Sequence, residues 1–143
     1  QGGLLGVAAD PDFQRNGYIY LSYAEPAAQQ PSDAKEQRDP RIGDGQELDD
    51  TVLKGLAVAR AKLNGEKLED VKVIWQQQPK MIGRGHFGGY LRFAPDGTLI
   101  ITSGERQRFT PAQDKASTAG RIIRINSDGS IQKDNPFAKS GGA

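Results

Sequence analysis

Asparagine–glycine and aspartate–glycine pairs mark the joints between apolar runs of this chain, at Asn16-Gly17, Asn64-Gly65, Asp96-Gly97 and Asp128-Gly129. Asn and Asp tolerate a positive φ and Gly prefers one, so such pairs suit tight β-hairpins. Between them lie short runs of alternating apolar residues. These runs predict strands at about 4–9, 18–24, 56–63, 71–77, 89–94, 98–103 and 120–126. Tyr18-Ile-Tyr-Leu-Ser-Tyr23 and Thr98-Leu-Ile-Ile-Thr102 carry the β-branched and aromatic residues that suit a pleated surface. Helix is scarce. The best candidate is one turn at Thr110-Pro-Ala-Gln113, where Thr110 can cap, Pro111 fits the first helical position and Gln113 can reach back.

Two stretches look like copies of one unit. Gly3-Leu-Leu-Gly-Val-Ala-Ala-Asp-Pro-Asp12 parallels Gly89-Tyr-Leu-Arg-Phe-Ala-Pro-Asp96, and each leads through a glycine-containing turn into an apolar strand. A basic-apolar strand ending in asparagine follows in both: Arg60-Ala-Lys-Leu-Asn64 and Arg121-Ile-Ile-Arg-Ile-Asn126. The first copy continues into Val71-Lys-Val-Ile-Trp75, whereas the second ends before a comparable strand. Repeated four-stranded units indicate an all-β fold of the β-propeller type. The competing reading is two unrelated meanders with similar turns. On the propeller reading, about 1–80 is a first blade and about 81–143 a second, incomplete one. Residues 25–55, polar and broken by proline, form a long surface loop in the first blade. The apolar alternation of 4–9, 71–77 and 98–103 is expected to face solvent where neighbouring blades are missing.

Composition excludes several classes of partner. Nineteen basic residues against eighteen acidic ones give a net charge of +1, without a basic block, so the footprint of a nucleic-acid binder is missing. No apolar run approaches the ~20 residues of a membrane span. With no cysteine there is no disulfide framework and no thiolate metal site. The start, Gln1-Gly-Gly-Leu-Leu-Gly, enters a strand almost at once, and the end, Lys139-Ser-Gly-Gly-Ala143, has nothing to tie it down. The chain reads as a piece of something longer.

The only histidine, His86, lies in the glycine-dense turn Gly83-Arg-Gly-His-Phe-Gly-Gly89, just before a predicted strand. Its unperturbed pKa of ~6.5 suits proton transfer near neutral pH. Glycines on both sides let the backbone bend and a ligand approach. A loop at the mouth of a rigid sheet is where sites tend to be built. Taken alone, a loop histidine is more often a solvated or hydrogen-bonded residue than a catalyst.

With these motifs in order, the chain resembles the soluble pyrroloquinoline quinone (PQQ)-dependent sugar dehydrogenases, the glucose/sorbosone and aldose sugar dehydrogenase family. The resemblance is carried by Gln1-Gly-Gly-Leu-Leu-Gly6, Pro11-Asp-Phe13, Ile19-Tyr-Leu-Ser-Tyr23, Gly85-His-Phe-Gly-Gly89 and Ala94-Pro-Asp-Gly97. It continues through Gly104-Glu105, Arg108-Phe-Thr-Pro-Ala-Gln-Asp114, Gly120-Arg-Ile-Ile-Arg-Ile-Asn126, Asp128-Gly-Ser130 and Lys133-Asp-Asn-Pro-Phe137. It implies a six-bladed propeller in the intact protein and oxidation of an aldose at its anomeric C1 hydroxyl, with hydride passing to PQQ and lactone as product. It also implies Ca2+, an external electron acceptor and a periplasmic or secreted location.

By position, His86 matches the family's catalytic base and Gln1 a glutamine of the same pocket. Glu105 matches an acidic residue that either orients the histidine or touches the sugar. Three departures stand out. Tyr90 replaces a usual arginine, Gly85 follows the aldose branch, and the chain ends before an Asn-Pro-Gln-Gly stretch and the later basic residues that hold PQQ. No metal ligands are assigned, since Asp10, Asp12, Asp128 and Asp134 belong to turns. Two other readings are a non-catalytic propeller that binds sugar or protein, and a calcium-dependent lactone hydrolase on a similar propeller.

Overall fold

A computed structural model describes residues 2–35, 51–83 and 85–138 of the chain. The strands it contains are β1 (Leu4–Ala9), β2 (Tyr18–Pro26), β3 (Lys54–Asn64), β4 (Lys67–Gln76), β5 (Gly88–Phe93), β6 (Leu99–Ser103) and β7 (Arg121–Ile125). Each pairs antiparallel with its successor within a sheet, giving a four-stranded meander, β1-β2-β3-β4, and a three-stranded one, β5-β6-β7. The fold is all-β, and its two sheets are propeller blades packed side by side.

Turn chemistry explains where the strands end. In Ala94-Pro-Asp-Gly-Thr98, Asp96 Oδ1 accepts hydrogen bonds from the Thr98 hydroxyl at 2.7 Å and the Thr98 N–H at 3.0 Å. Asn126-Ser-Asp-Gly-Ser130 repeats it, with Asp128 Oδ1 accepting from the Ser130 hydroxyl at 2.7 Å and its N–H at 2.9 Å. These bonds, those from the Thr98 and Ser130 hydroxyls foremost, hold both carboxyls below the usual aspartate range. Asn64-Gly65 also makes a hairpin, joining β3 to β4 with Asn64 paired to Lys67.

Asn16-Gly17 differs from expectation. It closes a single helical turn, α1 (Phe13–Asn16), and Gly17, at φ 68°, is the left-handed C-cap, donating its N–H to the Phe13 carbonyl. A helix C-cap and a hairpin make the same demand for positive φ, so the dipeptide cannot tell them apart. The turn at Thr110–Gln113 is present as a 3₁₀ helix, but Thr110 does not cap it. Phe109 holds the cap position, without a side-chain hydrogen bond. β4 starts at Lys67, four residues before the expected strand, because ladder hydrogen bonds extend through the polar, exposed Lys67–Asp70.

The core lies between the two sheets. Tyr20, Leu56 and Val58 of the first sheet meet Leu91, Leu99, Ile101, Ile123 and Ile125 of the second. Tyr20 and Phe93 pack edge to face with ring centroids 5.0 Å apart. Each buried Leu or Ile contributes ~1.5–3 kcal/mol. The innermost strands, β1 and β5, come so close that a Cβ on Gly6 would sit 2.5 Å from the Gly89 carbonyl oxygen. That oxygen instead accepts a hydrogen bond from the Ser22 hydroxyl at 2.5 Å. Glycine is what lets the sheets join there.

Leu4, Val7, Val71 and Val73 are exposed, as the alternation of 4–9 and 71–77 implies. The segment 98–103 is not. Leu99 and Ile101 are fully buried, because one face of β6 packs on the first sheet. The open apolar surface of the second sheet is its other face, a groove lined by Tyr90, Ile100, Thr102 and Ile122. At the long loop, the described ends pair with each other, Ala27 N–H donating to the Leu53 carbonyl and Thr51 N–H to that of Lys35. The middle of that loop, 36–50, lies outside the described residues.

Candidate active site

The site follows from register. Gly88 of β5 pairs with Ser103 of β6, so the residue two before Gly88 stands opposite the residue two after Ser103. Those residues are His86 and Glu105. The ladder continues beyond the strands, with Gly104 N–H donating to the Phe87 carbonyl at 3.0 Å and Arg106 N–H to the His86 carbonyl at 3.2 Å. The two loops approach so tightly that a Cβ on Gly104 would fall 1.9 Å from the His86 carbonyl oxygen.

His86 Nδ1 lies 2.5 Å from Glu105 Oε1. The imidazole is half exposed, 52% for its side chain against 20% for that of Glu105. Glu105 Oε1 also accepts the Gln107 N–H at 3.2 Å. The hydrogen bond with His86, assisted by backbone hydrogen bonds, holds the Glu105 carboxyl below its usual range, so it is a carboxylate at neutral pH. A carboxylate accepts only, so a neutral His86 donates Nδ1–H to it and carries its lone pair on Nε2. His86 has a positive φ of 50°. Such conformations in non-glycine residues concentrate where surrounding structure enforces them.

Two residues that hold this arrangement escape sequence reasoning. Arg106 is fully buried. Its guanidinium donates to the carbonyls of Gly83, Gly85 and Lys54 and lies 3.4 Å from the Phe87 ring centroid. Gln77, also fully buried, donates to the Ser103 hydroxyl at 2.8 Å and the Gly104 carbonyl at 2.7 Å. Its Oε1 accepts the Leu56 N–H, tying β3 to the end of β6. Both residue types are ordinarily solvent-facing, and their only sequence signal is position, Gln77 just after a strand and Arg106 just after Glu105.

Of the sequence-derived site residues, the structure brings His86 and Glu105 together. Gln1 lies outside the described residues, although a Cβ on its neighbour Gly2 would be 3.5 Å from the Phe87 ring. Tyr90 is exposed and lines the outer groove with Arg92 and Ile122. Among the described residues, no three His, Cys, Asp or Glu are grouped to hold a metal ion. Asp10 accepts hydrogen bonds from Asn16 and Tyr20, and Asp134 pairs with Arg124. No helix among the described residues is long and apolar enough to cross a membrane, which leaves β-barrel spans unaddressed.

The glucose/sorbosone dehydrogenase family model matches residues 1–143. The aldose sugar dehydrogenase YliI of Escherichia coli (strain K12) is 34% identical over 145 residues, an alignment that takes in 100% of this chain and 33% of YliI. The crystal structure of the soluble aldose sugar dehydrogenase from Escherichia coli, in its apo form, superposes with a TM-score of 0.78 at 34% identity, covering 100% of this chain and 36% of that one. A PQQ-bound aldose sugar dehydrogenase from Streptomyces coelicolor gives 0.69 at 25% identity, covering 96% of this chain and 34% of that one. The chain thus spans about a third of the length of these relatives. A family match along its whole length makes this chain a member of the glucose/sorbosone dehydrogenase family.

Proposed function

We propose that these residues supply the proton-handling part of a PQQ-dependent aldose dehydrogenase, which oxidises the anomeric C1 hydroxyl of a sugar to a lactone. The observation that carries this reading is the His86–Glu105 pair, 2.5 Å apart on two interlocked loops at the end of a sheet. Glu105 receives Nδ1–H and fixes the ring tautomer. Nε2 of His86 takes the hydroxyl proton, and the adjacent carboxylate stabilises the imidazolium that results. A positioned base of this kind contributes ~10²–10⁴-fold. When bound, PQQ supplies the hydride acceptor.

The residues described here fit the base and not the anchoring of the cofactor. PQQ carries three carboxylates that call for presented cations, and the guanidinium of Arg106 is already engaged by three backbone carbonyls. Parts of the family fold outside this chain would hold PQQ and Ca2+ and complete a six-bladed ring. Within it, about 1–80 forms one blade and about 81–143 most of a second. Gln1 would enter the same pocket, an external acceptor would reoxidise the cofactor, and the protein would work in the periplasm or outside the cell.

The test is a PQQ titration of a full-length protein that carries these residues. Aldose-dependent dye reduction that saturates with PQQ is the expected result. Saturable sugar binding without turnover would favour a non-catalytic propeller, and PQQ-independent lactone hydrolysis a hydrolase.

A further inference from the structure

We infer that Arg106 is a positioning residue for His86, setting the place of the base through the 83–87 loop. This rests on the reading of His86 as the base. The guanidinium reaches three carbonyls on two segments at once. Nε donates to the Gly85 carbonyl at 2.9 Å, Nη2 to the Gly83 carbonyl, and Nη1 to the Lys54 carbonyl at 3.1 Å at the start of β3. Its plane covers the Phe87 ring. The residues on either side of His86 are therefore gripped by one side chain, while the Arg106 N–H holds the His86 carbonyl itself. Arg108 adds a second brace, Nε donating to the Ile82 carbonyl at 3.0 Å.

The backbone in this region needs such a brace. His86, Arg106, Gln107 and Phe109 all have positive φ, between 50° and 58°, a conformation that side chains disfavour and that persists only when neighbours impose it. A rigid, planar fork can satisfy several carbonyls in fixed directions, which an ammonium cannot do. Without it, the 83–87 loop relaxes, and the imidazole moves relative to Glu105 and the reacting hydroxyl. Misplacement by about 1 Å can cost ~10²-fold in rate.

The experiment uses the PQQ-loaded full-length protein with Arg106→Gln and Arg106→Lys, each alone and combined with His86→Gln. The readouts are kcat, KM and the histidine ring NMR signals that His86→Gln removes. Arg106→Gln should lower kcat ~10–100-fold, leave KM within about threefold, move the His86 ring signals, and cost nothing further in the His86→Gln background. Arg106→Lys should restore thermal stability and recover only a few-fold of kcat. Unmoved ring signals with unchanged kcat would overturn the inference, as would equal fold losses in both backgrounds. If Arg106→Gln fails to fold, Arg106→Lys decides by the same criteria. If His86→Gln alone leaves kcat unchanged, the base reading fails. The ring signals then decide whether Arg106 positions His86, displaced signals supporting it and unmoved ones refuting it.

Discussion

A carboxylate beside an imidazole does two things at residue scale: it selects a tautomer and it adds a pH-dependent contribution to stability. The hydrogen bond with His86 holds the Glu105 carboxyl below its usual value. A group whose folded pKa is depressed stabilises the fold above its unfolded pKa, ~4.3 for Glu, and that contribution is lost as pH falls through the folded value. The stability gap between wild type and Glu105→Gln should therefore shrink as pH falls below about 4.3. Urea midpoints at pH 5 and 3.5 check this, and a gap that widens between them would show that the sign is wrong. His86 is legible as a lone histidine in a glycine turn, whereas Glu105 is a candidate only through the resemblance to the family. Their contact follows from strand register, which an approximate strand boundary does not give. Arg106 is illegible because its burial depends on three carbonyls from two segments, one of them more than fifty residues away.

At the scale of elements, the turn pairs and alternation carried most of the information. Six of the seven described strands fall within about two residues of their expected limits, because most are bounded by Gly, Pro, Asn or Asp and carry apolar runs of strand length. The start of β4 is not evident in the sequence, because Lys67–Asp70 is exposed and carries no apolar alternation. The ladder that extends past β5 and β6 makes the sharpest element-level prediction. A Cβ on Gly104 has no room beside the His86 carbonyl, whereas one on Gly97 meets nothing within 4 Å. Gly97→Ala should cost only the ~1–2 kcal/mol of its left-handed backbone. Gly104→Ala has no such backbone cost, but its Cβ would overlap the His86 carbonyl, and it should cost about 3 kcal/mol, the upper end for an overpacked site, and displace the His86 loop. Chemical denaturation of the two variants side by side checks the order, and equal costs would contradict the clasp.

The whole molecule is two sheets sharing one core, with apolar faces left open on both outer sides. Leu4, Val7, Val71 and Val73 lie on the first sheet, and Tyr90 and Ile122 on the second. Propeller blades bury such faces against neighbours, which fits a chain that spans about a third of its relatives. The repeat is legible because Gly3–Asp12 parallels Gly89–Asp96 and both units carry a basic-apolar strand ending in Asn; the close approach of the sheets at Gly6 and Gly89 is not, because a glycine in a strand does not reveal what lies against it. We propose that this segment brings a base to a reaction whose cofactor is held elsewhere. The direct measurement is single-turnover reduction of bound PQQ by an aldose in a full-length protein that carries these residues, wild type against His86→Gln, with PQQ affinity measured in parallel. A rate ~10²–10⁴-fold lower in the variant, with PQQ affinity within a few-fold, is the expected result. A rate within a few-fold of wild type, or a loss explained entirely by weaker PQQ binding, would contradict it.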